Sequence, residues 1–179
     1  LLDHICTFMP PETGQEDEYS ADAVKVSVIG RPNVGKSSLI NAFLGEERVI
    51  VSDMPGTTRD AIDTVFEFGE QPFVLIDTAG MRRKSKVKDP VEYYSVLRSL
   101  KAVQRADLAL LLLDGEKGIT EQDQRLAGFV DQSGRGLILV VNKWDLVRSR
   151  PQAREHYLDM LDRMLSFVPY AHVVFVSAL

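Results

Sequence analysis

The sequence predicts an α/β fold, a mostly parallel, six-stranded sheet with helices on both faces. Three observations lead there. Short, densely apolar runs alternate with longer stretches whose apolar residues recur every three to four positions. Most of those runs lack the in–out alternation of a sheet with one wet face, as expected of strands covered on both sides. The glycine-rich run Gly30–Lys36 stands between the first apolar run and the first helical stretch. Ligands of such sheets sit at turns of that kind, beyond the carboxyl ends of the strands.

In chain order, residues 1–9 look like the end of a helix that Pro10-Pro11 stops, and Glu12 to Asp22 reads as an acidic linker. Residues 1–23 are therefore expected to be the end of a preceding domain plus a linker, and residues 24–179 one domain. Val24–Ile29 is the first strand, and Ser38–Leu44 the first helix. Gly45 to Asp60 has turn residues and little periodicity, and reads as a mobile loop. Ile62, Thr64, Phe66 and Phe68 alternate with Asp63, Val65 and Glu67, as in a partly exposed strand. Phe73–Ile76 is a buried strand ending at Asp77. Gly80 to Lys88 is basic and uncapped, and is expected to be mobile.

Asp89-Pro90-Val91-Glu92 has the form of a helix start, with Asp as cap and Pro at the first position. Tyr93, Val96, Leu97, Leu100 and Val103 follow on one face. Leu108–Leu113 is a buried strand. Thr120 can cap a helix that carries Leu126, Phe129 and Val130 and stops near Gly134. Leu137–Val141 is the next strand. Pro151 opens a helix with Tyr157, Leu158, Leu161, Leu165 and Val168 inward, Pro169 ends it, and Val173–Val176 is the last strand.

Composition narrows the class. Cys6 is the single cysteine, so no intrachain disulfide can form, and a reducing cytoplasm fits. The run Leu108–Leu113 is too short to cross a bilayer, and the N-terminus lacks the pattern of a secretory signal. Residues 1–23 hold six acids and no Lys or Arg, so they account for the net charge of −5 and the remainder is nearly neutral. That is not the basic footprint of an autonomous nucleic-acid binder.

Gly30-Arg31-Pro32-Asn33-Val34-Gly35-Lys36-Ser37 fits G-x-x-x-x-G-K-[ST], a phosphate-binding loop. Its two glycines let the backbone curl and aim N–H groups inward. Those of Asn33 to Ser38, the helix N-terminus and the Lys36 ammonium would cradle the β- and γ-phosphates. The Ser37 hydroxyl would ligate Mg²⁺. Asp77-Thr78-Ala79-Gly80 has the D-x-x-G form, in which Asp77 would hold Mg²⁺ through water and the Gly80 N–H would meet the γ-phosphate. In Gly56–Asp60, Thr58 rather than Thr57 would complete the Mg²⁺ shell only when a γ-phosphate is present.

In Asn142-Lys143-Trp144-Asp145, the Asp145 carboxylate matches the ring N–H and exocyclic amine of guanine, a pair adenine lacks. The Lys143 stem can lie on the base, and Asn142 can tie the base site to the phosphate loop. Ser177-Ala178 follows the last strand, and the Ala178 N–H could donate to the guanine carbonyl oxygen. Trp144 is expected to pack, and His4, His156 and His172 show no catalytic spacing. Met81 stands where many G proteins place a Gln that orients the attacking water.

Together these motifs resemble the translational-type GTPases. The words GRPNVGKSSLIN (30–41), VSDMPGTTRDAID (51–63), DTAGMRRK (77–84), Tyr93-Tyr94-Ser95, GITEQD (118–123) and NKWDL (142–146) resemble the second G domain of the EngA/Der family. Its members are bacterial double-G-domain GTPases of large-subunit ribosome assembly, and the likeness spans residues 24–179. Era- and MnmE-like GTPases are the alternatives.

The resemblance implies a Ras-like GTPase fold and a slow GTP-to-GDP switch in the cytoplasm. It implies magnesium at Ser37, Thr58 and Asp77. It also implies potassium at Asn33, in place of an arginine finger. Lys36, Thr58, Gly80 and Asn33 would then be the catalytic group. The expected partners are a guanine nucleotide, the large ribosomal subunit or its rRNA, and the family's first G domain and KH-like domain. No membrane partner is expected, and the isolated piece is expected to be a monomer. Arg82, Arg83, Lys84, Lys86 and Lys88 read either as a solvated segment or as a nucleotide-controlled contact with rRNA or the KH-like domain.

Overall fold

The computed structural model describes residues 22–45, 49–52, 63–69, 71–78 and 92–178. The elements in order are β1 (Val24–Gly30), α1 (Lys36–Leu44), β2 (Val49–Ser52), β3 (Thr64–Phe68), β4 (Gln71–Ile76), α2 (Glu92–Arg105), β5 (Leu108–Asp114), α3 (Glu121–Gln132), β6 (Gly136–Asn142), a 3₁₀ turn (Trp144–Leu146), α4 (Ala153–Met164) and β7 (His172–Phe175). The expected helix end and acidic linker before residue 22, Thr57 and Thr58, Gly80, Met81, the basic stretch 82–88 and the Asp89 cap lie outside the described residues.

The sheet has seven strands rather than the expected six, in the order β2-β3-β4-β1-β5-β6-β7. The added strand is Val49–Ser52, inside the stretch read as a mobile loop. It pairs antiparallel with β3, Val49 opposite Phe68 and Val51 opposite Phe66. Three β-branched residues in a row suit a ladder, but four positions between turn residues are too few to show a period. β3 and β4 are also antiparallel, and the other four pairings are parallel.

Both faces of the central strands are buried. On one face Ile29, Leu111, Leu113, Leu139 and Val141 meet Val103 of α2, Leu126 and Val130 of α3, and Tyr157 and Leu161 of α4. On the other, Val28, Leu112 and Val140 meet Leu39 and Ile40 of α1. Successive residues of β5 thus enter opposite layers, so Leu110–Leu113 has no polar alternation. Because β4, β1, β5, β6 and β7 run parallel, the residues that follow them gather at one edge: Asp77, the phosphate loop, Asp114, Asn142–Asp145 and Ser177-Ala178.

Candidate nucleotide-binding site

Each glycine of the phosphate loop is required twice over. Gly30 has φ 144° and Gly35 φ 100°, both in the region that favours glycine. A Cβ on Gly30 would lie 2.6 Å from the Leu112 carbonyl oxygen, and one on Gly35 would lie 2.2 Å from Asn142 Nδ2. Asn33, with φ 65°, takes the left-handed conformation that Asn tolerates best among residues with a side chain. Lys36 Nζ donates to the carbonyls of Gly30 at 2.7 Å and Arg31 at 2.6 Å. Its charge is thereby fixed over the loop that its own helix follows.

Magnesium's expected ligands begin at adjacent strands. Ser37 lies in the first turn of α1, just past the loop that ends β1, and Asp77 directly follows β4, which pairs with β1. A hydroxyl and a carboxylate are hard oxygen donors of the kind Mg²⁺ takes while keeping several waters. The Asp77 backbone is held at φ 58°, where its N–H donates to Asp63 Oδ1 at 2.8 Å. Asp63 also pairs with Arg105, and the Thr64 and Thr78 hydroxyls are 2.8 Å apart. These contacts fix where D-x-x-G begins. Thr58 and Gly80, its expected companions, lie outside the described residues.

In the loop expected to take the base, Asn142 links β6 to the phosphate loop. It is 1 % exposed. Its Nδ2 donates to the Val34 carbonyl at 2.9 Å. Its Oδ1 accepts the Ala178 N–H at 3.0 Å. The Ala178 N–H, expected to meet a guanine carbonyl, thus donates to a protein acceptor in this structure. Ser177 likewise acts on the loop, its Oγ accepting the Asp145 N–H at 2.9 Å. Asp145 Oδ1 is buried and has no hydrogen-bond partner among the described residues. Trp144 packs as expected, its ring centroid 4.4 Å from that of Phe175 and 6.0 Å from that of Tyr157.

Lys143 stands at φ 60°, a strained angle for a long side chain, and its Nζ donates to Asp114 Oδ2 at 2.7 Å. Burial works against the charged form of Asp114. Hydrogen bonds from Lys143 and from the N–H groups of Lys117 and Glu116 outweigh it and hold the carboxyl below its usual range. Sequence reasoning missed Asp114, Asp63, Arg31 and Asp123 as parts of the site. Asp123 is fully buried and paired with Arg31 of the phosphate loop. The signal lay in the word GITEQD, which the motifs alone left without a role.

Residues 25–143 match the model of a family described as 50S ribosome-binding GTPase. The chain is 55% identical over its whole length to GTPase Der of Moorella thermoacetica and 53% identical over 99% of it to GTPase Der of Halalkalibacterium halodurans. It spans 40% of the length of each. These likenesses bear out the resemblance to the EngA/Der family. Among solved structures, Era in complex with MgGDPNP and nucleotides 1506–1542 of 16S ribosomal RNA is 26% identical, with a TM-score of 0.61 over 88% of this chain and 52% of that one. Translation elongation factor SelB of Methanococcus maripaludis, at 16% identity, has a TM-score of 0.64 over 88% of this chain and 30% of that one, which shows the shared fold.

Proposed function

This chain belongs to the 50S ribosome-binding GTPase family, and from that premise we propose that it binds GTP, hydrolyses it to GDP and phosphate, and serves as a switch in assembly of the bacterial large ribosomal subunit. The observation that carries the reading is the base loop. Asp145 keeps a buried carboxylate oxygen without a partner, three residues from an Asn that is bonded to the phosphate loop. Guanine supplies the two donors such a carboxylate needs. Adenine has no such pair and would leave the oxygen buried and unsatisfied.

The residues would divide the work as follows. Lys36 and the loop N–H groups hold the β- and γ-phosphates. Ser37, Asp77 and Thr58 hold Mg²⁺, which when bound neutralises phosphate charge. Gly80 reports the γ-phosphate, and Lys143 lays its stem along the base. The loop Asn33 would contribute an amide oxygen to a potassium ion. With Met81 in the place of a water-orienting Gln, intrinsic turnover is slow.

The Der relatives and the Era complex with 16S ribosomal RNA support a ribosomal partner over a tRNA-modifying role. The family's other domains and a cytoplasmic location complete the proposal. Competition binding tests the nucleotide: GTP should be preferred to ATP by roughly 10³-fold or more. Equal binding of ATP would refute it. Hydrolysis tests the ion: wild type should turn over faster in potassium than in sodium at equal ionic strength, and Asn33→Ala should lose the difference. Equal wild-type rates in both salts would remove potassium from the account.

A further inference from the structure

The run Gly118–Asp123 has no part in the nucleotide reading above, yet it holds a buried charge that reaches the phosphate loop. Arg31 Nε lies 3.0 Å from Asp123 Oδ1 and 2.9 Å from Oδ2, and Arg31 Nη2 donates to the Gly118 carbonyl at 2.8 Å. The Asp123 side chain is completely buried and that of Arg31 is 15% exposed. Asp123 Oδ2 also accepts the Thr120 N–H and hydroxyl, each at 2.9 Å. A carboxylate taken out of water is costly unless every lone pair is met. Here the donors come from the turn before α3 and from the phosphate loop itself, 92 residues away.

Arg31 is fixed at both ends. Its guanidinium is forked between Asp123 and Gly118, while its own carbonyl accepts Lys36 Nζ. Three residues on, the Val34 carbonyl is held by Asn142. The segment 31–34, with the exposed Asn33 at its turn, is therefore strung between two anchors.

We propose that the Arg31–Asp123 pair is a positioning device for the phosphate loop: it places the Arg31 peptide that takes the Lys36 ammonium, and so sets how the loop meets the phosphates of a bound nucleotide. The inference rests on the guanine-nucleotide reading and adds two residues that act through Lys36 rather than on the ligand.

The test is competition against a fluorescent GDP analogue, on the 179-residue chain, with GDP, a non-hydrolysable GTP analogue and GMP. Asp123→Asn and Arg31→Gln should each weaken GDP and the GTP analogue about tenfold, the usual scale for losing a group that orients a ligating one. GMP, which has no β- or γ-phosphate, should lose far less. The double variant should be no weaker than the weaker single one, because both remove the same contact. Arg31→Lys keeps the charge but not the fork, and should recover part of the loss. Should Asp123→Asn fail to fold, the two Arg31 variants carry the test, since that side chain reaches the surface. Wild-type affinity in the variants, or equal losses for GMP and GDP, would overturn the inference while leaving the nucleotide reading intact. A wild-type chain that bound no guanine nucleotide would overturn both.

Discussion

Asp114 shows how one residue can matter without touching a ligand. Its carboxylate meets Lys143 Nζ and two backbone N–H groups, and these hold its titration below the usual range. A group whose pKa is depressed on folding adds stability that is present above its unfolded pKa and lost as pH falls through the folded one. Asp114→Asn should therefore cost about 1–3 kcal/mol in denaturant melts at neutral pH. That deficit should shrink on acidification below the ordinary Asp range of about 4. A deficit independent of pH would show that the charge is not what stabilises the loop. Such residues were hard to see beforehand. A lone Asp at a strand end reads as a turn residue, and its partner stands 29 positions away. The glycines were legible for their backbone freedom. Their second requirement, room for Asn142 and for the Leu112 carbonyl, needed the fold.

At the scale of elements, what was legible followed from length. The buried strands at 108–113 and 137–141 and the helix from Pro151 stand within a few residues of where periodicity put them. The strand Val49–Ser52 escaped because pairing with β3, not local pattern, makes it a strand. Thr120 was legible as a cap, and Asp123 closes the capping box with it, but the long-range pairing of Asp123 with Arg31 was not legible from local pattern. In β5, Leu111, Leu112 and Leu113 are all fully buried, on alternate faces. Leu111→Ala should cost about 2–5 kcal/mol by the range for buried aliphatic truncation. The check is urea unfolding of the nucleotide-free chain. A loss below about 1 kcal/mol would mean the layer between α3 and the sheet can close over the gap.

For the molecule as a whole, the parallel order β4-β1-β5-β6-β7 is what turns separate motifs into one site. Two links then join its halves across the sheet edge: Asn142 to the Val34 carbonyl, and the loop from Asp114 to Asp123, which grips Lys143 at one end and Arg31 at the other. On the proposed reading, base and phosphates would be met by a single connected structure. Of that arrangement the motifs and their order were legible in the sequence. The connections were not, because each joins residues far apart in the chain. The claim on which the rest depends is that the Asp145 carboxylate, whose Oδ1 has no partner among the described residues, reads guanine. Calorimetric titration of the wild type and Asp145→Asn with GDP and with the xanthosine diphosphate tests it most directly. The amide offers a donor where the carboxylate offered an acceptor, so the variant should lose GDP and gain the xanthosine nucleotide, reversing the wild-type order. An Asp145→Asn protein that still preferred GDP by the wild-type ratio would contradict the account.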